Sequence, residues 1–218
     1  MNGRIEELVS AIPYTNTFAD VGCDHGYVAE AMLKSGKCKK AYVSDVSEKC
    51  LEKAKKLLAG FISAGSAEAV VSDGFEKLPL CDCALIAGMG GEEIIKIVSA
   101  AAERKVLPDK LVLQPMKNFD RVRDCCVKNG YRIKKDYVFY VKDKYYFIIA
   151  TERGKDFLSE EEREFGRTNI SERPSDFVRY AREEKEKLAQ ILDSGNLCDS
   201  ERDRITEKIK RLNEYAKS

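Results

Sequence analysis

The sequence has no tryptophan, a single histidine (His25) and only five prolines in 218 residues. With one histidine, a zinc site would have to be built almost entirely from cysteine. Eight cysteines are present, yet Cys23, Cys38, Cys50, Cys81, Cys83, Cys125, Cys126 and Cys198 form no C-x-x-C pair, which removes both the usual zinc spacing and the redox motif. Reduced, mostly buried small hydrophobes are therefore expected, with no metal. No apolar run approaches a membrane span, and the opening MNGRIEELVSAIP carries acids where a signal peptide is continuously apolar, so a cytoplasmic protein with no membrane partner is expected. An excess of one charge is also missing. A net charge of +1 excludes the global positive field of strongly basic nucleic-acid binders, so any phosphate-binding surface must be a local cluster. Nothing in the sequence specifies an oligomeric state.

What is present is a globular composition, 44% hydrophobic and 34% charged, at a length that suits one ordinary domain plus an appendage. Strand-like runs recur at 18–22 (FADVG), 41–45 (AYVSD), 68–72 (EAVVS), 83–87 (CALIA) and 110–114 (KLVLQ). Helical patterns over 28–35, 48–61, 92–102 and 119–129 supply crossovers, and the link after the third strand is too short for more than a turn of helix. Such alternation predicts a parallel sheet covered on both faces. Segments 131–141 and 144–151, rich in aromatic and β-branched residues and separated by Lys142-Asp143, predict an antiparallel hairpin on one edge. The expected fold is thus α/β: a doubly wound, Rossmann-like class I methyltransferase sheet of seven strands with an antiparallel terminal hairpin.

From Lys155 the character changes, which divides the chain into 1–154 and an α-helical, coiled-coil appendage over 155–218. Ser159-x-x-Glu162 spells a capping box, and Ser175 after Pro174 is a candidate cap for the next helix. Phe177, Ala181, Leu188, Ile191 and Leu192 share one helical face, as do Ile205, Ile209, Leu212 and Ala216. Joined at Gly195-Asn196, the two helices predict an αα-hairpin, either a packing appendage or an arm for substrate or partner.

The chemistry gathers at the ends of the strands. The first strand leads into Asp20-Val21-Gly22-Cys23-Asp24-His25-Gly26, a strand–turn–helix junction expected to offer free backbone N–H groups to a polar ligand. It is not the G-x-G-x-x-G of a dinucleotide site, because Asp24 stands where a pyrophosphate needs bare glycine. S-adenosylmethionine has no phosphate and carries an ammonium and a sulfonium, which an acidic turn suits; aspartate also tolerates positive φ. Asp45 closes the second strand about 20 residues on, where an acid conventionally accepts from ribose hydroxyls. Val46 is placed to pack on the adenine, and Asp73-Gly74 to hold the adenine amino group. Each acid alone reads equally well as an ordinary turn residue; three at successive strand ends point to one binding edge.

The fourth strand ends in IAGMGGEEII, where Gly88, Gly90 and Gly91 free the backbone at the point where donor and acceptor meet, and Gln114-Pro115-Met116 follows the fifth. The N-P-P-Y type tetrapeptide of amino-directed DNA methyltransferases is absent here. The stretches RIEELVSAIP, ADVGCDHGYV, IAGMGG and LVLQP, with the helical tail, resemble the bacterial tRNA adenine-22 N1-methyltransferases over nearly the whole chain. The resemblance implies tRNA as substrate and S-adenosylmethionine as cofactor. It assigns the donor pocket to Asp20, Gly22, Cys23, Asp24, His25, Gly26, Asp45, Val46, Asp73, Gly74, Ala87 and Gly88, and the acceptor side to Met89, Gly90, Gly91, Gln114 and Pro115, with Tyr27 and Met89 as candidate stacking partners for the base. Many relatives carry alanine at the place of Gly26, a departure not expected to disturb cofactor binding.

N1 of adenine holds an in-plane lone pair and no proton, so alignment of the reactants suffices and no catalytic base is required. His25 and Asp24 are the candidates for that role if one exists. The alternatives are a methyltransferase acting on a small molecule or protein, and a non-catalytic RNA-binding protein with this fold. On the arm, Arg179, Arg182, Lys185, Lys187, Lys208, Lys210 and Arg211 are candidate phosphate contacts, interleaved with acids.

Overall fold

Seven strands form one sheet in the order β3-β2-β1-β4-β5-β7-β6 in the computed structural model, which describes residues 3–195 and 197–217. They are β1 (Thr15–Val21), β2 (Cys38–Asp45), β3 (Ala67–Val71), β4 (Cys83–Met89), β5 (Lys110–Pro115), β6 (Tyr131–Val141) and β7 (Lys144–Arg153). Strands β1 to β5 run parallel, while β7 lies antiparallel between β5 and β6. The order reverses between β1 and β4, opening the crevice in which such sheets bind ligands.

Helices cover both faces because the central strands are apolar on both. On one side α1 (Gly3–Ala11), α2 (Tyr27–Lys34) and α3 (Glu48–Leu57) bring Leu8, Met32 and Leu51 against Phe18, Val43 and Leu85. On the other, α5 (Gly91–Glu103) and α6 (Phe119–Lys128) press Ile94, Val98 and Val122 onto Val21, Ile86 and Leu113. The single helix expected over 48–61 is two. Leu58, at φ −94° and ψ 10°, ends α3 and starts α4 (Ala59–Ser63), a turn that keeps Leu58 fully buried. Helix α1 was not foreseen as an element.

The C-terminal segment holds α7 (Glu160–Phe165), α8 (Arg167–Glu172), α9 (Ser175–Asp193) and α10 (Asp199–Tyr215). The Ser159–Glu162 capping box forms in both directions. Ser175 is not a cap: Pro174 occupies that position, and Ser175 is already the first helical residue. Helices α9 and α10 pair antiparallel: α9 ends at Asp193, α10 begins at Asp199, and Lys185 and Glu184 in the middle of one meet Asn213 and Lys208 of the other. Asn196, in the expected turn, lies outside the described residues. Phe165, Phe177, Leu212 and Tyr215 form a third apolar cluster with Val138 and Phe147 of the hairpin.

This segment also covers the outer edge of the sheet. The N–H groups of Asp136, Val138 and Tyr140 on β6 donate to Thr168 Oγ1 (2.9 Å), Asn169 Oδ1 (3.1 Å) and Asp176 Oδ2 (2.8 Å). Side chains thus saturate a strand edge that would otherwise template aggregation. Beneath them Arg123 and Asp136, both fully buried, form an ion pair of 2.8 Å, and Asp136 Oδ1 accepts from Thr168 N–H.

Candidate active site

The turn after β1 is shaped by three residues in the left-handed region: Gly22 (φ 72°), Asp24 (φ 47°) and Gly26 (φ 74°). Asp24 therefore does what a glycine would do in a dinucleotide turn. The N–H groups of Gly22 and Cys23 are not free, contrary to expectation, since both donate to Ser44 O (2.8 and 3.0 Å) and pin the turn onto β2. Gly26 opens α2, and a Cβ there would lie 3.1 Å from the Ala54 Cβ. With its positive φ, that contact makes alanine a strained choice in this chain.

Carboxylates surround the turn. Asp20 is buried, and desolvation pushes its carboxyl up to about 7 against the lowering effects of the Ala29 N–H and the Arg4 charge. The Cys23 thiol is pushed up by burial and then by the charges of Asp20, Asp45 and Asp24, which registers the negative potential of the turn and makes the thiol inert. Asp45 accepts from Ser47 N–H (2.8 Å), and the neighbouring Val46 is 69% exposed. Asp73 is exposed, while Gly74 (φ 53°) packs under Ile97 and its carbonyl accepts from Ser72 Oγ (3.1 Å). His25 Nδ1 meets Asp24 Oδ2 at 2.7 Å, and its ring stacks on the exposed Tyr27 at 5.3 Å. Partial burial raises the Asp24 carboxyl, but the His25 hydrogen bond and the Lys53 ammonium 3.5 Å away bring it below its ordinary value.

Across the crevice, β4 bulges between Ala87 and Met89, with Gly88 at φ 79°. Met89 O accepts from Met116 N–H (2.9 Å), and the Met89 side chain reaches back over Gly22. Gly90 lies beside the stem of Lys117, and Gly91 packs directly on Lys117 O and Asn118, so a side chain at Gly91 has no room. Gln114 and Pro115, expected on the acceptor side, end β5. Both are buried, and the Gln114 amide is committed to the protein: Oε1 accepts from Arg4, and Nε2 donates to Pro115 O (3.1 Å).

Sequence reasoning did not place Arg4 beside the crevice. It comes from α1, and its guanidinium lies over the Tyr146 ring at 5.4 Å and beside Gly88. Only the resemblance, through RIEELVSAIP, touched it. The cations named on the arm are mostly engaged: Arg179 with Glu183, Lys187 with Glu184, Lys208 with Glu164 and Glu184, and Arg211 with Glu160, Glu164 and Glu207. Lys185 donates to Asn213. Arg182 and Lys210 have no ion-pair partner among the described residues. A cleft of about 1030 Å³ is lined by Phe119 and Phe147 together with Glu164, Tyr180, Leu188 and Lys208 of the arm.

A doubly wound sheet with a reversed last strand, a left-handed acidic turn after β1 and acids ending β2 and following β3 define a class I methyltransferase. The model of the methyltransferase-domain family matches residues 1–149, and the chain belongs to that family. A Mycoplasma pneumoniae protein named "Putative tRNA methyltransferase" is 30% identical over 171 residues, 74% of this chain and 78% of that protein. The tRNA (adenine(22)-N(1))-methyltransferase of Bacillus subtilis is 24% identical over 156 residues, 71% of this chain and 66% of its own length. Among solved structures, M. capricolum TrmK in complex with S-adenosylhomocysteine is 26% identical with a TM-score of 0.87, covering 99% of this chain and 97% of that one. S-adenosylmethionine is the cofactor, and the residues present fit it: the turn is negative where the cofactor is positive, and no phosphate has to be accommodated. No helix among the described residues is long and apolar enough to cross a membrane.

Proposed function

We propose that this enzyme methylates N1 of adenine 22 in tRNA. The observation that carries the reading is the convergence of Asp20, Asp24 and Asp45 on one left-handed turn, facing a glycine-lined strand end across the β1/β4 crevice. The names of the relatives supply the acceptor. The cytoplasm, where tRNA is found, is the compartment this implies.

In this reading Asp20 takes the ammonium of the cofactor, Asp45 its ribose hydroxyls, Val46 the adenine face, and Asp73 with Gly74 the adenine amino group. Gly22 to Gly26 form the wall, and Ala87 and Gly88 close the opposite side. S-adenosylmethionine supplies an electrophilic methyl group carried on a sulfonium. The chain's part is alignment: Gly90 and Gly91 leave space for a base edge, and Tyr27 and Met89 offer a stacking face. As the N1–CH3 bond forms, the S–CH3 bond breaks and the positive charge passes to the adenine ring, so no proton has to move. His25, held by Asp24 at the rim, is then a wall residue. Adenine N1 is occupied in a base pair, so the tRNA must be opened locally.

We divide the chain into a catalytic unit over 1–154 and a helical unit over 155–218, with Arg182 and Lys210 as the arm's phosphate contacts. Truncation near Thr151 is a poor test of the arm, because it removes the side chains that cap β6. Charge reversal at Arg182 and Lys210 leaves those caps in place and should weaken tRNA binding most at low salt. Incubation with labelled S-adenosylmethionine and unmodified tRNA, followed by nucleoside analysis, tests the whole reading: label in N1-methyladenosine supports it, and label in another nucleoside, or none, overturns it.

A further inference from the structure

Asp24, Asp45 and Asp73 stand at or just beyond the ends of β1, β2 and β3, so RNA phosphates meet repulsion on that half of the sheet edge. The other half is built differently. The β5–β7 pairing stops at Leu113 and Ile149, while the β6–β7 ladder runs on to Val141 and Lys144. Residues 144–148 therefore carry the hairpin about 17 Å past its last β5 partner, on the carboxyl side of the sheet where the crevice opens. The overhang is held on both faces. Val141 packs on Gly3 of α1 and the Tyr146 ring lies under Arg4, while Tyr145 meets the Tyr180 ring at 5.3 Å and Tyr140 lies under Arg179 at 3.8 Å. Its tip is Lys142-Asp143, at φ 49° and 58°, a two-residue turn in which asparagine-glycine is the usual choice. Lysine in that conformation strains the backbone. The Tyr140 hydroxyl donates to Asp143 (3.0 Å), but the ammonium groups of Lys142 and Lys144 are exposed and have no partner among the described residues. Lys117, just past the end of β5, is exposed and equally unpaired, and its Cε lies 3.6 Å from where a Cβ of Gly90 would stand.

We propose that the overhanging tip of the β6–β7 hairpin is an RNA-docking finger, with Lys142 and Lys144 taking phosphates of the backbone that flanks the target adenine and Lys117 taking a phosphate beside the crevice. A tip fixed in advance between α1 and α9 loses little freedom on binding. Lysines with no carboxylate to compete for them displace counterions from RNA in full. Contacts of this kind set register without reading sequence, which leaves the choice of base to the glycine-lined strand end. This role presupposes the tRNA reading and belongs to the hairpin, not to the helical arm.

Lys142→Asn combined with Lys144→Thr separates docking from folding, because asparagine accepts a left-handed turn and threonine favours a strand. The double variant should melt at or above the wild-type temperature and bind S-adenosylhomocysteine as the wild type does. Its affinity for unmodified tRNA, read by fluorescence anisotropy at about 0.1 M salt, should fall by about 25- to 60-fold, which is about five- to eightfold for each phosphate contact. The slope of log K against log salt should shrink by about 1.4 to 1.8, and adding Lys117→Met should remove a further 0.7 to 0.9 or so, roughly one contact. In turnover KM for tRNA should rise while kcat at saturation holds. Lys144→Thr alone, which leaves the turn untouched, should give about half of the slope change and keeps the test open if the double variant does not fold. Wild-type affinity and slope in these variants would overturn the proposal, and so would a melting temperature that falls together with tRNA affinity, which makes the lysines structural. Nucleoside analysis of the wild-type reaction tells the two possible failures apart. N1-methyladenosine from a wild type whose variants bind tRNA equally well refutes the finger alone, whereas a wild type that neither binds nor methylates tRNA refutes the tRNA reading and the finger with it.

Discussion

The Met89 side chain lies across Gly22, so that a Cβ added to Gly22 would overlap the terminal methyl of Met89. One residue ends β4 and the other leaves β1, and their contact bridges the β1/β4 crevice. Gly22→Ala meets two obstacles: the φ of 72°, which costs an L-residue about 1–2 kcal/mol, and the displaced thioether. The thioether is flexible and the backbone is not. Gly22→Ala should therefore lower both thermal stability and S-adenosylhomocysteine affinity, and adding Met89→Ala should recover only the steric part. Full recovery of stability in the double variant, measured by thermal melting, would contradict the backbone assignment.

Cofactor affinity should depend on pH through Asp20. Burial holds its carboxyl at about 7 in the free protein, above its ordinary value of 3.8, so ionisation disfavours the folded state and stability from this group declines as pH rises from about 4 to about 7. A ligand ammonium reverses the preference. Binding then expels a proton below pH 7, and affinity climbs with pH until the carboxyl is ionised. Calorimetry of S-adenosylhomocysteine at pH 6 in buffers of different ionisation heat should detect proton release, and Asp20→Asn should abolish it. Binding at pH 6 with no proton release would remove Asp20 from the ammonium site.

The arm is fastened through the Arg123–Asp136 pair, which also receives the Thr168 N–H. Asp136→Ala leaves a guanidinium uncompensated where both side chains are fully buried, a change that typically costs about 3–5 kcal/mol. Denaturant unfolding should show a loss of that size, and hydrogen exchange should accelerate at Val138 and Tyr140, whose N–H groups are capped by the same segment. A loss below about 1 kcal/mol would mean that the arm is held by its apolar cluster and its other caps on β6 rather than by this pair.

His25→Ala should retain most of the methyl-transfer rate, because N1 has no proton to lose and the His25–Asp24 pair stands at the rim. A fall of about 10²–10⁴-fold in kcat with cofactor binding intact is the signature of acid–base work and would contradict the alignment mechanism.

The strands were legible because each combines an apolar β-favouring run with a turn signal, and the acids at 20, 45 and 73 were legible because they end or follow those runs. The site's cross-chain features were not. Arg4 finds its partner 110 residues away in Gln114, and an arginine in an amphipathic segment carries no local mark of that pairing. Gln114 looked available to substrate because sequence shows its place at the sheet edge but not the guanidinium that occupies it. Thr168 and Asn169, in a polar stretch without strong periodicity, serve β6 more than 30 residues earlier. Ser175 carried a capping signal that the preceding proline overrode.

The most direct measurement of the central claim compares two tRNA transcripts that differ only at nucleotide 22, adenine in one and guanine in the other, incubated with the enzyme and S-adenosylmethionine and then read by primer extension. N1 methylation blocks base pairing, so a stop at position 22 is expected in the adenine transcript and none in the other. Equal stops in both transcripts, a stop at a different adenine, or no stop at all in a protein that binds the cofactor would contradict the assignment of adenine 22 as the methyl acceptor.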